Sequence, residues 1–168
     1  MKKVKTTDIT ITALLAAVAL VLSYIEMTLP DLPFVIPGMK LGLSNIVTMF
    51  ALSAINIWSA LAICIVKAVF ALVTRGMTAA LMSLCGAIMS TLAMYIVLKF
   101  DCFGFIGVGV CGAFCHNLGQ ILVAFVLTDS TVFAYLFVLG LVSVATGSLT
   151  AFVVYIILPK ILSLKLHQ

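Results

Sequence analysis

The sequence predicts an all-α integral membrane protein: a compact bundle of six transmembrane helices with both termini in the cytoplasm. Three observations carry that expectation. Hydrophobic residues make up 65% of the 168 positions and charged residues only 8%, with a mean hydropathy of +1.38. Soluble domains carry about 25% charged residues, so this chain lacks the polar surface that water requires. Uncharged stretches fall at 9–25, 41–66, 76–98, 102–128 and 130–159, and a ~30 Å hydrocarbon core needs roughly 17–25 apolar residues per helix. Finally, an even helix count brings the lysines at both ends of the chain to one side.

The first helix is expected over 8–28. It follows Met1, Lys2 and Lys3 without a small-residue cleavage site, which reads as a retained span rather than a removed signal. Its stretch TALLAAVALVLSYIE contains Ala13 and Ala17 as a small-xxx-small pair, with Ala16 and Ala19 widening the small-residue surface. Such a face lets another helix approach closely, either inside the bundle or from a partner protein at the cytoplasmic end.

The run from 41 to 74 is interrupted only by Lys67 and is too long for one span. A break at Ala54-Ile55-Asn56-Ile57-Trp58, where Asn and an amphipathic Trp suit an interface, divides it into helices over 39–55 and 57–74. Both are short, so five helices with a re-entrant segment form the competing arrangement. The remaining helices are expected at 77–99, 104–127 and 131–158, within a single domain over 1–168. Lys2, Lys3, Lys5, Lys99, Lys160 and Lys165 then share the side that the positive-inside rule makes cytoplasmic. Glu26, Asp31, Lys40, Arg75 and Asp129 fall on the other. The pI near 8.9 reflects this topology and does not indicate nucleic-acid binding.

Several chemistries are missing. No G-x-x-x-x-G-K-[ST] loop is present for ATP. The acidic residues stand singly at 8, 26, 31, 101 and 129, whereas holding Mg²⁺ against a diphosphate needs clustered carboxylates. No catalytic residue and no cofactor is therefore assigned. Cys64, Cys85, Cys102, Cys111 and Cys115 form no C-x-x-C pair. Cys111 and Cys115, at i, i+4 spacing beside His116, could frame a metal site. Free cysteines pack well as small hydrophobes, and that reading is preferred.

Polar groups at membrane depth are costly and therefore informative. Lys67 is eight residues, or about 12 Å of helix, inward from Arg75. It is read as a binding-site cation, against a structural ion pair or a snorkelling side chain. His116 and Gln120 in CHNLGQ share a helix face, and Asn117 lies about 100° round; interhelical hydrogen bonding is the alternative for all three. Asn45 recurs with Ser44 and Thr48 on the second helix and is its strongest ligand candidate. Lys40, Lys67 and Arg75 make the outer half positive, which favours an anionic ligand, unless Glu26 or Asp31 neutralises Lys40. Pro30, Pro33 and Pro37 fix φ and remove amide donors, making a stiff outer connection that suits a lid. Gly38 and Gly42, like Gly112, are read as permitting close approach.

Taken together, A-x-x-x-A, then P-x-x-P-x-x-x-P-G-x-K-L-G-L-S-N and later H-N-L-G-Q in a short six-helix chain resemble the Gx transporter family. That family is also labelled heptaprenyl diphosphate synthase component I and looks like a branch of the S components of energy-coupling-factor (ECF) transporters. The resemblance implies a multi-pass protein of the bacterial plasma membrane that captures a small vitamin- or isoprenoid/quinone-related molecule. It also implies ATP-driven uptake through a coupling transmembrane subunit and two cytoplasmic ATPase subunits. Ala13 and Ala17 match the motif that faces the coupling subunit, and Leu29 to Lys40 the loop that covers the substrate. Ligand contacts are assigned from depth and spacing instead: Lys40, Asn45, Lys67, Arg75, His116, Asn117 and Gln120. The competing reading is a non-catalytic membrane accessory subunit of heptaprenyl diphosphate or menaquinone synthesis. A stand-alone channel or redox protein using His116 and the cysteines is the weakest of the three.

Overall fold

The computed structural model describes residues 6–28, 42–100, 103–128 and 136–166. They form α1 (Thr6–Thr28), α2 (Asn45–Ala54), α3 (Ile57–Arg75), α4 (Met77–Phe100), α5 (Phe105–Thr128) and α6 (Leu136–Leu166), with no strand among the described residues. All but α2 are long and apolar enough to cross a membrane. The ten residues of α2 rise only about 15 Å.

The expected full-length second span over 39–55 is therefore corrected. The helix proper begins at Asn45, behind a turn through Leu43 and Ser44. The physical reason lies in Gly42 and Glu26. Gly42 adopts φ +85°, a left-handed conformation that ends a right-handed ladder. The amides of Gly42 and Leu43 are taken by a carboxylate oxygen of Glu26 in α1.

These contacts also decide how the chain passes through the bundle. Ser23 and Glu26 near the end of α1 share a cavity with Lys67 and Arg75 in the second half of α3, so α1 and α3 run parallel. The segment between them must cross back, with α2 as the helical part of that passage. A re-entrant segment would make α1 and α3 antiparallel.

Five long helices follow one another round the bundle as α1, α3, α4, α5 and α6, and α2 packs against every one of them. Its residues from Val47 to Leu52 are all buried. Around it sit Ile63 of α3, Met94 of α4, Val108 of α5 and Val154 of α6. At the other extreme, α1 packs only on α2 and α3 among the described helices.

Small residues set the closest crossings. A Cβ on Gly119 would stand 2.8 Å from the Cα of Gly86, so α4 and α5 touch backbone to backbone. Gly109 and Gly147 do the same for α5 and α6. Gly112 faces the Met94 side chain of α4.

Helix ends follow local chemistry. The Asn56 side chain accepts the Ser59 amide at 2.9 Å, an N-cap for α3, and Trp58 is exposed beside it. Gly76, at φ +84°, is the single residue between α3 and α4. The sixth helix was expected over 131–158, but the observed α6 continues through Pro159 to Leu166. A proline removes one donor, and in apolar surroundings remaining helical still satisfies the other backbone groups. Residues 131–135 lie outside those described.

Candidate functional site

Lys67 sits inside the bundle at 3% exposure. Its ammonium donates to Oδ1 of Asn45 at 3.2 Å. Asn45 is held in turn by the Gly42 turn, since its amide donates to the Gly42 carbonyl at 2.8 Å. Alanine at 42 would bring Cβ within 2.8 Å of the side-chain Nδ2 of Asn45 and 3.3 Å of the His116 ring. Glycine is thus needed there both for its φ and for its missing side chain.

His116 enters from α5 and is 4% exposed. Its Nδ1 is buried with no hydrogen-bond partner among the described residues. Gly86 of α4 lies against that edge of the ring, while the opposite edge faces Gly42. Gln120, one turn further along α5, is buried as well. Arg75 is half-buried at the end of α3.

These groups line one cavity. Ser23 and Glu26 contribute from α1, Gly42 and Ser44 from the turn before α2, and Lys67 and Arg75 from α3. Ser83 of α4 and His116 and Gln120 of α5 complete its polar wall. The space left between them holds only about one water molecule. Lys67 and Arg75 share this lining with Glu26, so two basic side chains stand with one acidic one. Water-poor surroundings strengthen interactions between charges severalfold over bulk solvent.

Of the expected ligand contacts, the structure brings Lys67, Arg75, His116 and Gln120 to this cavity and sets Asn45 behind Lys67. Asn117 does not line this cavity. Its amide donates to Ser143 Oγ at 2.8 Å and to the Leu139 carbonyl at 3.5 Å, so it joins α5 to α6. Rotation by 100° round α5 carries it away from His116. Thr48 likewise bonds its own helix, donating to the Asn45 carbonyl at 3.0 Å. Lys40, Asp31, Gly38 and the Leu29–Lys40 connection with Pro30, Pro33 and Pro37 lie outside the described residues.

The alanine face of α1 divides. Ala13 and Ala17 are exposed, while Ala16 and Ala19 turn inward against the core. The four therefore do not make one widened surface. Ala13 and Ala17 share the exposed face, and the Ala16–Ala19 pair is centred about 110° round the helix from them, toward the core.

Sequence reasoning missed Glu26 as a member of the site and took it only as a counter-ion for Lys40. The available signal was Ser23 with Glu26, two polar residues three apart on one face of an apolar helix. Among the described residues no three His, Cys, Asp or Glu side chains come close enough to hold a metal ion.

An all-helical, multi-pass membrane protein whose ionisable side chains converge on a cavity in one half of its bundle is the class these features define. Within that class the chain belongs to the heptaprenyl diphosphate synthase component I family, whose model matches residues 15–157. The match runs from the first helix into the sixth. No curated protein and no solved structure matches the chain.

Proposed function

We propose that this protein is the substrate-binding S component of an ECF-type transporter in a bacterial plasma membrane, with both termini in the cytoplasm. It captures a small vitamin- or isoprenoid/quinone-related acid from outside. A coupling transmembrane subunit and two cytoplasmic ATPase subunits then drive uptake. The protein itself performs no catalysis.

The observation that carries this reading is the gathering of Lys67, Arg75, His116 and Gln120 around one cavity. Ionisable groups inside a membrane bundle mark pathways and binding sites, and two cations there favour an acidic guest. The exposed Ala13 and Ala17 supply a close-approach edge for a coupling helix. Because the cavity is small, ligand entry requires a wall to move. Among the described helices α1 is packed least extensively against the others, which makes it the element expected to shift.

A second reading rests on the family's own description, heptaprenyl diphosphate synthase component I, and makes the chain an accessory subunit of that synthesis. Affinity purification from mild detergent separates the two. Recovery of a coupling subunit with two ATPases supports transport. Recovery of a soluble prenyltransferase without ATPases overturns it in favour of the accessory role.

A further inference from the structure

The carboxylate of Glu26 is the one group in this cavity that a purely anionic guest leaves unexplained. It is 7% exposed, and its two oxygens have different surroundings. Oε1 accepts the backbone N–H groups of Gly42 and Leu43, which tie the side chain to the head of α2. Oε2 is buried with no hydrogen-bond partner among the described residues. Lys67, the buried cation of the same cavity, donates to Asn45 instead. A buried carboxylate oxygen without a donor is costly, and a bound anion would add like-charge repulsion.

The two sides of the cavity thus ask for opposite chemistry. Lys67 and Arg75 on α3 offer positive charge to an acid, while Glu26 on α1 offers an unused acceptor. The amides ahead of α2, which could otherwise hold an anion, are already taken by Oε1. We infer that the guest is amphoteric: a small molecule with an acidic group toward Lys67 and Arg75 and an ammonium or polar N–H donor toward Oε2 of Glu26. The inference rests on the reading of this cavity as a small-molecule site and narrows its ligand class.

The test uses the full-length protein in lipid nanodiscs at neutral pH. Equilibrium dialysis measures binding of γ-aminobutyrate, butyrate and butylamine, which carry both groups, the acid alone and the amine alone. Charge-assisted hydrogen bonds predict that γ-aminobutyrate binds about tenfold or more tighter than either of the others. Glu26→Gln keeps an acceptor for Gly42 and Leu43 but turns the free oxygen into an N–H donor. It should abolish or invert the preference for γ-aminobutyrate over butyrate, which a merely structural role of Glu26 would not do. Lys67→Met should weaken both acids.

Equal affinity of the wild-type protein for γ-aminobutyrate and butyrate overturns the inference and leaves the binding site standing. Because the wild-type comparison decides that point, the result does not depend on the folding of Glu26→Gln. Failure of all three probes to bind the folded wild-type protein overturns the binding site as well.

Discussion

Gly42 controls the candidate site more directly than any of the groups with chemistry to offer. Its φ of +85° is matched by the +84° of Gly76, but the two differ in surroundings. A Cβ on Gly42 meets Asn45 and His116, and one on Gly76 meets nothing within 4 Å. Gly76, with ψ −176°, lies in a positive-φ region that is essentially restricted to glycine, so Gly76→Ala should cost about 1–3 kcal/mol of backbone strain and leave ligand affinity unchanged. Gly42→Ala should cost more, and it should lower affinity by displacing Asn45 from Lys67. Thermal denaturation alongside ligand titration of both variants checks the contrast, and equal behaviour would remove the site role of Gly42. Asn117 gives a second residue-scale expectation. A double-mutant cycle with Asn117→Ala and Ser143→Ala should yield a coupling of about 0.6 kcal/mol, the usual size for hydrogen bonds between membrane helices, without changing affinity. Depth within a span was enough to single out Lys67, His116 and Gln120. Spacing alone could not tell that Asn117 turns to α6, because an angle round one helix has meaning only once its neighbours are in place.

At the scale of elements, α1 is distinguished by how little holds it. Ala13 and Ala17 lie on its exposed face, together with Leu14, Val18 and Val21. Ala13→Trp combined with Ala17→Trp should therefore preserve the fold and its melting temperature while abolishing uptake, if that edge receives a coupling subunit. Transport assays in cells, paired with circular dichroism, check this, and normal uptake would refute the coupling role. Legibility varied among the helices for definite reasons. The break between α2 and α3 was readable because Asn56 and Trp58 suit an interface, where Asn56 also caps α3, and the step from α3 to α4 because the charge of Arg75 interrupts the apolar run. The short length of α2 was not readable. Its start depends on Glu26, sixteen residues before Gly42 in sequence, so no local window around residues 39–45 contains the cause.

For the whole molecule, the alternation of helices puts the start of α1 and the end of α6 on one face, opposite Gly76. The lysines at 99 and 160 then lie on the face of the termini, as the positive-inside rule asks of a cytoplasmic side. Single cysteines introduced into a cysteine-free variant report the orientation. A thiol at position 76 should react with an impermeant reagent in intact cells, and one at position 58 only after permeabilisation; the reverse pattern would overturn the proposed orientation. Composition alone determined that the solvent of this chain is a bilayer, and charge spacing indicated most of its spans and which polar groups lie at depth. Only the tertiary structure decided which way those groups turn: Asn117 away from the cavity, Glu26 into it, and Ala16 and Ala19 apart from Ala13 and Ala17. In water an amphipathic helix reveals its inner face by its apolar stripe. In lipid both faces of a helix are apolar, so that signal fades. Rotation is set instead by contacts between elements, such as the Gly86–Gly119 crossing and the grip of Glu26 on Gly42.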